Sequence, residues 1–204
     1  MKKLKKTNKI YIGLIALITF VLSGCSLQTD YDYKGQTLDP HVNKTAWEYF
    51  QSRPDVFSVF TEAITYAGME DYYKQTDVKY TFLALNNTAM NLFITNTNPA
   101  AVSVTQLDQT VVKQMLQYHI VKGEYSAYKQ LPVEPMFVLT LLPGEPGLMT
   151  LLVRKSPWQD DAGKIFVNDT GSNGTSPSRS AVTSNILPTN GVIHVFANYC
   201  YYKP

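Results

Sequence analysis

Three histidines, two cysteines, two tryptophans and the Asp160-Asp161 pair are the residues on which chemistry could be built. His41, His119 and His194 are widely separated, and none stands in a cluster of cysteines or carboxylates at ligand spacing, so no metal site is expected. The chain has no G-x-S-x-G elbow, no phosphate-cradling glycine loop and no H-E-x-x-H pair, so no catalytic residue and no cofactor are assigned. Asp160-Asp161 lies within the Trp158–Gly163 turn and reads as a solvated loop. Cys200 sits between Tyr199 and Tyr201 near the chain end. With no neighbouring group to lower its pKa, it reads as a packed thiol. Trp158 is the loop aromatic whose ring face could stack on a sugar.

Cys25 has a different character. Lys2, Lys3, Lys5, Lys6 and Lys9 precede an apolar run of 13 residues, Ile10 to Leu22, which ends in Leu22-Ser23-Gly24-Cys25. A positive start, a short apolar stretch and small residues at a cut site describe a secretory signal. The run is too short to cross a hydrocarbon core, which takes about 20 residues. The last four residues resemble the lipobox of bacterial lipoproteins. That resemblance implies cleavage before Cys25, a diacylglyceryl thioether on its sulfur, and an acylated α-amine. Several acyl chains hold a protein on a bilayer far more firmly than one. Ser26 and Leu27 follow in place of Asp, which in double-membraned bacteria favours the outer membrane; the periplasmic and outer faces both stay open.

Three segments follow: a signal over 1–24, a lipidated tether over 25–44, and one domain over 45–204. Loss of the five signal lysines leaves 13 basic against 16 acidic residues and moves the formal charge from +2 to −3. The basic pI of 8.4 therefore belongs to the precursor and does not argue for nucleic acid as a partner. The largely polar segment from Ser26 to Asn43, eighteen residues, would span about 20–25 Å as flexible chain. With Cys25 acylated, Cys200 has no disulfide partner, and stability must come from the core.

Helices are expected first. Thr45 and Glu48 have capping-box spacing ahead of Trp47 and Phe50. Ser52 and Pro54 can open a second helix carrying Val56, Phe57, Phe60, Ala63 and Ile64, stopped at Gly68. A strand over Val78–Leu85 leads through Asn86-Asn87-Thr88 into a helix over Ala89–Ile94. Thr105 to Asp108 has the spacing of another capping box, and behind it Val112, Met115, Leu116 and His119 share one stripe. That stripe makes His119 an interior residue bonded to backbone groups and leaves Tyr118, off the stripe, as the exposed candidate. From Met136 the pattern becomes strands: Met136–Leu142, Leu148–Lys155, Lys164–Asn168, Ala181–Leu187 and a closing strand. Asn190-Gly191 reads as a turn into Val192–Phe196. That strand is apolar on both faces, with His194 between Val192 and Phe196, so it should lie inside the sheet. Helices before strands argue for α+β with an antiparallel sheet.

Three stretches stand in fixed order: Tyr80-Thr81-Phe82-Leu83-Ala84-Leu85-Asn86-Asn87-Thr88-Ala89-Met90, Tyr118-His119-Ile120-Val121, and Asn190-Gly191-Val192-Ile193-His194-Val195. Together they resemble the fasciclin (FAS1) domain, through its first conserved block, its Tyr-His motif and its second conserved block. Leu85 stands where proline is usual, Asn86 where threonine or serine is usual, and Ala197 where an acidic residue is common. The resemblance implies a β-wedge or triangular barrel of mostly antiparallel strands with several N-terminal helices packed on it. Thr81, Phe82, Ala84, Asn87, Ala89, Asn190, Gly191 and His194 would be its structural positions. It also implies a non-catalytic adhesion or protein-contact role, with Tyr118 and His119 as the recognition candidates. The alternative is a surface glycan-binding lipoprotein serving polysaccharide uptake, with Trp158 as platform. The expected partners are thus the membrane, through the anchor, and a protein or glycan ligand.

Overall fold

The capping box at Thr45 forms as its spacing requires. The Thr45 hydroxyl accepts from the Glu48 amide at 3.2 Å, and the Glu48 carboxylate accepts from the Thr45 amide at 2.8 Å. The structure, a computed structural model, describes residues 39–128, 131–155, 163–169 and 176–201. All belong to one compact unit, Asp39–Pro204. The signal, Cys25, the tether up to Leu38, Trp158 and Asp160-Asp161 lie outside the described residues.

Helix α1 (Ala46–Gln51) buries Ala46 and Phe50. Ser52 does not open the next helix. It closes this one, and its hydroxyl donates to the Tyr49 carbonyl at 2.8 Å. Helix α2 (Pro54–Tyr66) begins on Pro54, which has no amide hydrogen to satisfy in the first turn, and it carries no side-chain cap. Helix α3 (Glu70–Lys74) buries Tyr73. Phe50 meets Phe57, Phe60 and Tyr73 at ring-centre distances of 5.0, 5.4 and 5.9 Å, so an aromatic cluster welds the three helices.

Strand β1 (Tyr80–Leu85) runs into α4 (Asn87–Thr97). Asn86 is its cap, accepting from the Ala89 amide at 2.9 Å, so the helix starts two residues earlier than its apolar pattern suggests. Asparagine thus does the capping work for which threonine or serine is usual. The second capping box does not form. Thr105 sits in a short 3-10 turn, Val104–Gln106, and Asp108 itself caps α5 (Gln109–Tyr118), accepting from the Thr110 amide at 2.7 Å.

Two four-stranded sheets complete the fold. The first has the order β2-β1-β8-β7, with β2 (Ile120–Lys122), β7 (Thr183–Ile186) and β8 (Gly191–Phe196). The second, β3-β4-β5-β6, is antiparallel throughout: Met136–Leu139, Leu148–Arg154, Lys164–Val167 and Arg179–Ser180. A bridge between Val121 and Thr140 links them. The described residues form an α+β fold, and the two sheets do not close into a barrel. β8 lies between β1 and β7, and all six of its residues are buried. It pairs with β1 in parallel, Phe82 opposite Ile193, while the other described strand pairs are antiparallel, in keeping with the mostly antiparallel expectation. The closing strand enters the middle of its sheet because both its faces are apolar.

Candidate binding surface

Tyr118 and His119 close α5, and neither is exposed. The expected exposure of Tyr118 is corrected by the turn that follows it. The helix ends there and the chain passes directly into β2, so the ring is pressed toward the second sheet. Its hydroxyl lies 3.3 Å from the Leu148 carbonyl and 3.2 Å from Asn168 Oδ1, and burial pushes the phenol up to about 12. His119 Nε2 accepts from the Cys200 amide at 3.0 Å, which leaves Nδ1 to donate to the Met115 carbonyl at 2.7 Å. The ring is therefore neutral, and desolvation holds its pKa down to about 4. Cys200 is fully buried beside it, and the same loss of water pushes the thiol upward, which keeps it protonated and unreactive.

The other motif residues are also consumed inside. Thr81 Oγ1 donates to the Gly123 carbonyl and accepts from the Tyr125 amide, both at 2.8 Å. His194 Nδ1 accepts from the Asn185 amide at 3.1 Å, and Nε2 donates to the Tyr125 carbonyl at 2.9 Å. Its pKa is likewise held at about 4 by burial. Asn87 Oδ1 accepts from the Val59 amide at 3.1 Å while Nδ2 donates to the Asp55 carbonyl at 3.2 Å, bolting α4 to the first turns of α2. Asn190 stands in the turn between the antiparallel strands β7 and β8, as its sequence predicts, where the Gly191 amide donates to the Pro188 carbonyl at 3.4 Å, and its own backbone has no positive φ. Its side chain accepts from the Ala46 amide at 2.8 Å and donates to the carbonyls of Tyr73 and Gln75 at 2.8 and 3.0 Å. Gly191 does need its glycine: at φ 152° a Cβ would collide with the Tyr80 carbonyl. Phe82, Ala84 and Ala89 are fully buried and fill the core.

These residues therefore do not converge on a ligand. They are joints at separate places, each satisfying backbone groups where irregular chain meets helix or strand. A groove of about 430 Å3 runs along the outer sides of α1 and α2. Trp47 and Gln51 line it from α1, Ser58, Glu62 and Thr65 from α2, and Thr105 from the 3-10 turn. Sequence reading treats Trp47 as a passenger on a short helix. Its partners come from three segments, and no local spacing joins them.

Two linked sheets under a helical cluster, locked by buried Thr, Asn and His joints at these motifs, define a domain of the FAS1 type. The Fasciclin domain family model matches residues 55–199, and the chain belongs to that family. Among solved structures it is similar to the FAS1 domain pair of the insect cell adhesion molecule fasciclin I, at a TM-score of 0.44 and 17% identity. The similarity covers 77% of this chain and 45% of that one, so the chain spans less than half the length of that structure. No curated protein matches the chain in sequence.

Proposed function

We propose that this chain is a lipid-anchored fasciclin module that mediates adhesion or protein contact at a bacterial cell envelope, without catalysis. The observation that carries the adhesion reading is the family match over residues 55–199, since fasciclin domains are extracellular interaction modules. The interior use of Tyr118, His119 and His194 supports exposed loops and grooves, in place of the Tyr-His motif, as the recognition surface. The anchor reading rests on Leu22-Ser23-Gly24-Cys25 behind a short apolar run. Cys25 would hold the acyl chains, the polar segment behind it would supply reach, and Ser26 in place of the retaining Asp favours the outer membrane of a double-membraned cell.

Adhesion of cells carrying the protein to immobilised matrix proteins tests the role. Binding that is lost on surface proteolysis supports it, and unchanged adhesion after deletion of the gene refutes it. Metabolic palmitate labelling tests the anchor separately: Cys25→Ala should abolish it, and undiminished labelling would remove the lipoprotein reading.

A further inference from the structure

We propose that the groove between the outer faces of α1 and α2 is a binding site for a neutral saccharide. Trp47 and Gln51 are one helical turn apart on α1, and Ser58, Glu62 and Thr65 recur at i, i+4 and i+7 on α2, opposite its buried Phe57, Phe60 and Ile64. Thr105 closes the far side. At about 430 Å3 the groove falls in the range of small-ligand sites.

Its lining suits a sugar better than a peptide or an ion. An indole offers an apolar face to the C–H side of a pyranose ring, and the hydroxyls, amide and carboxylate around it match the ring's hydroxyl edge. Lys74 Nζ lies 5.2 Å from the indole centre and holds the ring in place. Among the described residues, the Ser58 and Thr65 hydroxyls, the Gln51 amide and the Glu62 carboxylate make no side-chain hydrogen bond or ion pair, so their capacity is available to a ligand. Glu62 is the only charged group in the lining. A carboxylate there accepts from two adjacent sugar hydroxyls and repels uronates and sulfates, which sets the preference for uncharged rings. The inference names a partner class beyond the adhesion reading and does not depend on it.

The test uses the full-length protein in a detergent that carries no sugar. Neutral gluco-, manno-, galacto- and xylo-oligosaccharides are titrated beside uronate-containing ones, with saturation-transfer NMR as the readout. At least one neutral series should bind. Thr65→Arg, an exposed substitution that fills the groove, should abolish that binding with the melting temperature unchanged. Glu62→Gln should weaken it by roughly tenfold, the loss expected for a charge-assisted hydrogen bond. No binding of any neutral saccharide, a preference for the uronates, or binding untouched by Thr65→Arg would each overturn the proposal.

Discussion

Thr81 and His194, on the neighbouring strands β1 and β8, hold the two ends of a single residue. The Tyr125 amide donates to Thr81 Oγ1 at 2.8 Å, and the Tyr125 carbonyl accepts from His194 Nε2 at 2.9 Å. Both side chains are fully buried. The loop after β2 is thereby fastened across the parallel pair, and its backbone groups are satisfied without any strand partner. Thr81→Val keeps the shape and deletes both hydroxyl bonds. Urea denaturation should show a loss of about 2–4 kcal/mol with the native far-UV spectrum retained. A loss too small to measure would mean that the hydroxyl is not holding the loop.

Acid should loosen the protein through its two interior histidines. Each is neutral in the fold with a pKa of about 4, against an ordinary value of 6.5. Folded values lie below unfolded ones, so the stability they confer is complete above pH 6.5. It is lost as pH falls toward 4, because the unfolded chain takes up protons that the folded one refuses. The slope in that window is about 1.4 kcal/mol per pH unit for each histidine. Urea midpoints measured from pH 7 to pH 4 should fall steeply, and a flat profile would contradict the buried neutral rings.

Asn190→Asp replaces a donor that serves two carbonyls with an acceptor in a fully buried place. Stability should drop by about 3–5 kcal/mol at neutral pH. The difference from the parent should narrow at pH 4, where a protonated carboxyl regains one donor. Equal stability of the two proteins at pH 7, by calorimetry, would show that the clamp does not bear on the fold.

Tyr73 stacks on Phe82 at 5.1 Å, but its hydroxyl is buried and has no hydrogen-bond partner among the described residues. Removing an unsatisfied polar atom while keeping the ring should not destabilise. Tyr73→Phe is expected to raise stability by about 1 kcal/mol, read as a higher melting temperature. A lower melting temperature would reveal a partner for that hydroxyl.

The helices and the closing strand were legible because their signals are local. Thr45 and Glu48 announce a cap, and the apolar residues on both faces of β8 announce an interior strand. Asn190-Gly191 was legible as the turn into β8, but the clamp made by the Asn190 side chain was not. The same dipeptide serves hairpin turns, and only the tertiary fold brings Ala46, Tyr73 and Gln75 around the asparagine side chain. Tyr118 was placed outside by its position off the helical stripe, which holds for a helix with one buried face and fails at a helix end wedged against a sheet. The parallel pairing of β1 with β8 and the Trp47 groove both join distant segments, which no window along the chain can show.

The placement of β8 between β1 and β7 governs the order of events when the chain is made. A polypeptide delivered amino end first, from a ribosome or through a pore, presents β1 long before Gly191 and its followers arrive. Until then the first sheet has a gap at its centre, and the Asn190 bolt between α1 and α3 is missing. Such a chain is threadable for most of its synthesis and locks only when its tail is released, as expected for a topology dominated by distant pairings.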